Sequence, residues 1–378
     1  MFKKITIQNF RGIKDLTIDD FGKINLLVGK NNSCKTSVLE ALKIAYWKNA
    51  FNEIIKTNNH VRRFYLELND CKNPLETFNA INKHFTNTFY KLDLSQKIII
   101  NSEWNGSKEE LTLYSDKTKQ EQHYEWYFDL KFNQKDLKSQ NNLIKSEINS
   151  SEEETFTNSI TSSIKFQQMF LKEPDISLHE DLKNDSRFAC FFFDSNMAHN
   201  FSAADLKISY GKIIRNKKEE ELAVLLKDID QSIKDIKFDG EDILVDIGIE
   251  ERLEGRLMGE GIQKIFFLAL IILSEEINNG VLLIDEIENG LHYTAQEKLW
   301  NWLFDIAKEK KIQIFATTHS IDTVRSFTKV AEDKEEKDIR LFKLLKKDDE
   351  IKVRKQEFES LDNWLEEYEE NNSFMEIR

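Results

Sequence analysis

The chain has 378 residues, 40% of them apolar and 32% charged, and a formal net charge of −13. That length can bury a substantial core in roughly two to three domains. The acidic balance excludes a surface coated in nonspecific affinity for nucleic acid, which depends on Lys and Arg neutralising phosphates, and leaves open only a local basic groove.

Taken in order, residues 1–47 read as strand, hairpin, strand, loop and helix. KKITIQNF and IKDLTIDDF alternate at period two, and INLLV is a short apolar run of the kind found in buried parallel strands. From Thr36 to Trp47, Val38, Leu42 and Ala45 share one helical stripe. Residues 48–186 are rich in Asn, Lys, Ser and Glu and read as an insertion, part β-ribbon and part helix. QKIIINSEW (96–104) and HYEWYFDLKF (123–132) are its strand-like pieces, and 139–163 approaches low complexity and is expected to be a flexible surface segment.

Dense α/β patterning returns over 187–337. FACFFFDS predicts a buried strand, and IKDIKFDGEDILVDI a hairpin turning near Asp-Gly. A very apolar helix (262–277), the strand VLLID, an amphipathic helix (294–309) and the strand IQIFATTHS follow. Residues 338–378 predict a hairpin, IRLFKLL and EIKVRKQ around KKDD, with an acidic tail. The most apolar run, IFFLALIIL, is too short to cross a bilayer. The first residues alternate like a strand and lack the apolar region of a secretion signal. Cys34, Cys71 and Cys190 show neither metal-ligand spacing nor a disulfide framework, so a reducing cytoplasm without membrane attachment is expected.

Three short stretches carry chemistry. GKNNSCKTS (29–37) lies between a strand and a helix, where backbone N–H groups and the positive end of the helix dipole face phosphates. Gly29 makes the turn, Lys35 reaches the β/γ phosphates, and Thr36 gives its hydroxyl to Mg²⁺; Lys30, Asn31, Asn32, Ser33 and Ser37 complete the candidate loop. Cys34 stands where a glycine normally lets the backbone approach phosphate. A right-handed backbone with the thiol turned away is the expected accommodation, and a merely polar Asn/Ser loop is the competing reading. VLLIDEIENGLH (281–292) leads four apolar residues to adjacent Asp285 and Glu286. In a nucleotide hydrolase the first carboxylate serves Mg²⁺ and the second the attacking water; otherwise the two acids cap the next helix. His319 ends a further strand, where a lone histidine is commonly a packing residue and, in this order after an acidic pair, reads as a γ-phosphate sensor.

Together these stretches resemble the ABC-type ATPases of the RecF/SMC and OLD (overcoming lysogenization defect) group, the AAA-family ATPases common in bacterial defence islands. ITIQNFRGIKDLTIDDFGKINLLVGKNNSCKTSVLEAL is similar to their opening, RLMGEGIQKIFFLALIIL to their signature region, LLIDEIENGLH to their Walker B motif and ATTHS to their H-loop. The resemblance implies a P-loop α/β fold of ABC ATPase type, with a mixed central sheet, an antiparallel β subdomain and an α/β insertion. It implies ATP with Mg²⁺ as ligands, Lys35 and Thr36 on phosphate and Mg²⁺, Asp285 on Mg²⁺, Glu286 as general base and His319 as γ-phosphate contact. Arg11, in NFRG, would approach the nucleotide or be a surface charge. Gly259 and Gly261 keep the signature, although Met258 stands where the family often has serine. A Q-loop glutamine has no clear place; Gln134, Gln167 and Gln168 are guesses.

In this architecture the signature completes the phosphate loop of another subunit, so the resemblance implies a homodimer or higher homo-oligomer gripped by ATP. The favoured role is a sensor or scaffold in an antiphage system controlling a separately encoded effector, expected to be a nuclease. Too few residues follow His319 for the Toprim nuclease domain of OLD proteins, and the acids of AEDKEEKD read as a solvated helix or linker. Alternatives are a RecF-like DNA-repair ATPase, for which KIIRNKK (212–218) and HVRRF (60–64) could contribute basic charge, and a nucleotide-gated structural module with little turnover. Phe191–Phe193, Trp300 and Trp302 are expected to pack under the sheet, and Trp364 to dock a partner.

Overall fold

A computed structural model describes residues 1–47, 85, 87–117, 124–132, 158–164, 190–194, 203–239, 243–274 and 279–357. Two compact units emerge. One comprises Met1–Phe21, Asn32–Arg187 and Leu345–Val353, the other Gly22–Asn31, Phe188–Leu344 and Arg354–Arg378. The division at 187/188 falls one residue from the compositional boundary at 186, whereas residues on both sides of 47 share the first unit, in which Ile98–Trp104 pairs with the first strand of the chain.

The first unit is built on one antiparallel sheet. β1 (Phe2–Phe10) and β2 (Ile13–Asp19) form a hairpin, with Ile5, Ile7, Leu16 and Ile18 on the buried face, as period-two alternation demands. β4 (Ile98–Trp104), β5 (Ser107–Lys117), β6 (Tyr124–Phe132) and β7 (Asn158–Ile164) continue it in the order β2-β1-β4-β5-β6-β7. β7 lies within the stretch read as a flexible surface segment. Its polar sequence gives no apolar alternation, and pairing with β6 alone makes it a strand. Helix α1 (Lys35–Trp47) packs on β1 and β4, burying Val38, Leu42 and Ala45.

The other principal sheet runs β15-β14-β3-β13-β12-β8. β3 (Ile24–Val28) is buried along its whole length because it pairs in parallel with both β13 (Gln313–Thr318) and β14 (Ile339–Lys347). β12 (Val281–Ile284) pairs in parallel with β13 and with β8 (Cys190–Phe193). The two residues between β14 and β15 (Glu350–Glu357) enforce a hairpin, with Asp348 left-handed at φ 53. Asn25, buried within β3, bonds Gly22 and the Ile314 carbonyl, so its amide is satisfied where an apolar residue would be the default.

Helices α2 (Ala203–Arg215), α3 (Glu219–Ile229), α4 (Glu260–Ser274), α5 (Tyr293–Glu309) and α6 (Ile321–Asp333) share the core with this sheet. α4 packs on α2 and α3, and α5 on α6. Phe193 and Trp300 are buried, and Phe191 and Trp302 pack partly buried against the same core, as expected. β9 (Asp235–Phe238) and β10 (Ile243–Asp246) form the expected hairpin, joined by β11 (Leu253–Glu254) in a three-stranded sheet. Trp364, HVRRF and the three candidate glutamines lie outside the described residues. Among the described residues, no helix is long and apolar enough to cross a membrane.

Candidate functional site

Strand register decides what meets at the carboxyl edge of the parallel sheet. Val28 pairs with Thr318, and Ile284 with Ala316, so β3 and β13 end together and β12 ends two residues before them, at the same edge. Their next residues are Gly29–Asn31, His319 and Asp285–Glu286. This is the edge at which open α/β sheets bind ligands.

The acidic pair is held by a backbone and side-chain lattice. The Asp285 amide donates to the Phe193 carbonyl at 2.8 Å, continuing the β12–β8 ladder by one residue. Thr317 Oγ1 donates to Asp285 Oδ1 at 2.6 Å and accepts the Glu286 amide at 2.8 Å. One hydroxyl therefore fixes both acids. Glu286 is left-handed (φ 48), a conformation that costs a non-glycine residue on the order of 1 kcal/mol and needs such anchors. Its carbonyl accepts Lys264 Nζ at 2.5 Å, and its Oε2 accepts Asn289 Nδ2 at 2.5 Å.

Lys264 comes from α4, the helix that follows the candidate signature. Burial drives its pKa down to about 8, against the upward pull of Glu288, Glu286, Asp285 and Glu260. Gly261 lies against the turn after the acids, where a Cβ would overlap the Gly290 carbonyl. Gly290 itself is left-handed at φ 75. Gly259 faces open space, and neighbouring Leu257 is 67% exposed. The signature segment is thus anchored at Gly261 and Lys264 and open at its tip.

His319 is not a packing residue. Its main-chain amide and its Nδ1 both lie 2.8 Å from Glu288 Oε1. Ser320 then caps α6, accepting the Thr323 amide.

The remainder of the phosphate loop belongs to the first unit. Asn32 (φ 68) and Cys34 (φ 70) are both left-handed, so the right-handed backbone expected for Cys34 is not what forms. Left-handed residues in a tight turn gather main-chain amides into an anion-binding concavity. Cysteine is tolerated because its side chain has been given room. A Cβ on Gly12 would lie 2.9 Å from Cys34 Sγ and 3.2 Å from Lys346 Nζ. The thiol fills the space that Gly12 leaves, donates to the Gly12 carbonyl at 3.4 Å and accepts from Lys346 Nζ at 3.4 Å. Lys346 also donates to Gly12 O at 2.9 Å. Residues NFRG and SCKT are therefore a fitted pair. A β-branched side chain cannot adopt this backbone without strain, so Cys34→Val should be at least about 1 kcal/mol less stable than Cys34→Gly by thermal or denaturant unfolding. Equal stabilities would refute the left-handed assignment.

Arg11 is neither a surface charge nor free. Its side chain, 8% exposed, pairs with Glu40 of α1 at 3.0 Å and donates to the Asn87 carbonyl at 3.1 Å. It ties the β1–β2 turn to the helix that follows the loop. The loop residues fit an anionic ligand. Ser33 Oγ is buried with no hydrogen-bond partner, Lys35 is 7% exposed, and the first turn of α1 holds no acidic side chain to compete for its dipole. Lys35, Thr36 and Ser37 open that helix, with Val38 N bonding back to Cys34 O at 3.1 Å.

Sequence reasoning missed Thr317, Lys264, Asn289, Glu288 and Lys346. A lysine directly ahead of IFFLALIIL, in the same helix, was a visible signal for a buried charge. Thr317, Glu288 and Lys346 act through contacts between distant segments, and Asn289 through a bond within its own turn.

A parallel sheet that releases a glycine-led loop into a helix, with an acidic pair and a histidine leaving the neighbouring strands, defines a P-loop nucleotide hydrolase. More narrowly, the chain belongs to the AAA ATPase domain family, which it matches over residues 1–324. A protein of Helicobacter pylori (strain ATCC 700392 / 26695) described as an ATP/GTP phosphatase is 25% identical over 377 residues, spanning 89% of this chain and 90% of its own. A solved SMC head bound to the C-winged helix domain of ScpA aligns with a TM-score of 0.52 at 9% identity, over 95% of this chain and 99% of that one, a likeness of fold alone.

Proposed function

We propose that the chain hydrolyses ATP with Mg²⁺ in a homodimer that closes on ATP, and that this cycle serves an antiphage complex by holding or licensing a separately encoded effector. The observation that carries the hydrolytic part is the pairing of Asp285 and Glu286 on one threonine hydroxyl at the sheet edge. The resemblance assigns magnesium to Asp285 and, from the loop, to the Thr36 hydroxyl; the ion would supply charge that screens the phosphates. Glu286, aimed by its left-handed backbone, takes the proton of the attacking water. Lys35 and the loop amides hold the β and γ phosphates, and His319 faces the γ-phosphate. The name of the Helicobacter relative makes GTP a second substrate to test.

Dimerisation rests on the resemblance to ABC ATPases and on the open signature tip. Gly259 faces open space and Leu257 is exposed, so the segment is available to a second copy. If the site is shared, turnover per chain rises with protein concentration at saturating ATP and then levels off. A rate per chain that stays constant on dilution to well below the dimer dissociation constant would contradict a shared site. The effector role is supported by the likeness to OLD-type chains; co-purification with the product of a neighbouring gene tests it. The described part of the basic stretch does not favour a DNA track, since Lys218 is paired to Glu221 and an acidic turn, Glu219–Glu221, follows at once.

A further inference from the structure

We infer that Glu288 is a positioning residue that fixes the ring orientation and tautomer of His319, so that Nε2 is the nitrogen presented to the phosphate. The inference rests on the reading of His319 as a phosphate contact, but its structural half stands without it.

Glu288 lies two residues beyond Glu286, in the turn after β12. One of its oxygens, Oε1, is 2.8 Å from both the main-chain nitrogen and the ring Nδ1 of His319. An ionised carboxylate can only accept, so at that distance Nδ1 carries a proton. Two bonds from one histidine to one oxygen form a chelate that holds both the backbone and the imidazole. No described residue takes Nε2, and the ring is 36% exposed. The free nitrogen is therefore the one available to a ligand at the sheet edge. A second-sphere carboxylate that sets a histidine tautomer is a recurrent device where the opposite nitrogen has work to do.

The arrangement is expensive as pure architecture. Glu288 is 8% exposed, and its other oxygen, Oε2, is buried with no hydrogen-bond partner. Burying an unsatisfied carboxylate oxygen works against stability, and an apolar side chain would fill the turn at lower cost. The residue is explained by what it does to His319. Lys264, whose charge Glu288 favours more than any other acid does, moderates the negative charge without bonding that oxygen.

The test is ¹⁵N spectroscopy of the imidazole nitrogens in the full chain, without nucleotide. The protein has seven histidines, and a His319→Gln variant assigns the resonance by its loss. In the neutral imidazole, wild type should show a protonated Nδ1 and an unprotonated Nε2. Glu288→Ala should lose that preference, whereas Glu288→Gln, which keeps an accepting Oε1, should retain it. In ATP turnover, Glu288→Ala should lower kcat by about 10–100-fold with little change in KM, and Glu288→Gln should restore most of it. The double variant Glu288→Ala/His319→Ala should be no slower than His319→Ala alone, because the effect passes through the ring. A wild-type ring protonated on Nε2 alone, or a tautomer unchanged in Glu288→Ala, overturns the inference; should Glu288→Ala not fold, the wild-type spectrum decides. A correct tautomer pattern combined with full activity of His319→Ala would instead overturn the role given to His319.

Discussion

Glu286→Gln should lower ATP turnover by about 10²–10⁴-fold while leaving nucleotide binding and the fold intact. The substitution is isosteric, and none of the anchors of this residue needs its charge. The amide still meets Thr317 Oγ1, the carbonyl still accepts Lys264, and the side-chain oxygen can still accept from Asn289. What disappears is the capacity to take a proton from water. Binding without hydrolysis should then accumulate the ATP-closed state, seen as a nucleotide-dependent dimer in light scattering or sedimentation. A variant that turns over at the wild-type rate, or that shows no ATP-dependent change in mass, would remove Glu286 from the role of base.

Lys35→Ala should weaken ATP binding by about 10–100-fold, the worth of a charge-assisted hydrogen bond to phosphate. Lys35 is the first residue of α1 and is buried. Alanine is the best helix former and leaves the end of α1 undisturbed, so a loss of affinity would be chemical rather than structural. Thermal unfolding should separate the two, with a Tm close to wild type in the absence of nucleotide and a missing ATP-induced rise. Undiminished affinity would place the phosphates elsewhere.

Much of the second unit was legible because its signals are local. INLLV and VLLI are largely apolar runs of strand length, and they and QIFATT proved to be strands buried by parallel neighbours on both sides. The positions of Asp285 and His319 at strand ends could be read because each directly follows such a strand. The first unit was less legible. β7 is mostly polar, with only Ile160 and Ile164 apolar, and its strand character comes from β6 beside it. The conformation of Cys34 was misread for a related reason. The residue that decides its backbone is Gly12, whose missing Cβ receives the thiol, and Lys346 arrives from the far end of the chain. Glu288 looks in sequence like one more acid in an acidic turn. Only the side-by-side pairing of β12 and β13 brings it to His319.

The account depends on the loop at 29–37 wrapping a triphosphate despite its cysteine. Isothermal titration of the purified protein with ATP, with and without magnesium, asks this directly. Saturable binding that approaches one nucleotide per chain, tightened by magnesium and weakened in Lys35→Ala, is the result expected. Heat that never saturates, at protein concentrations high enough to populate any dimer, would contradict it.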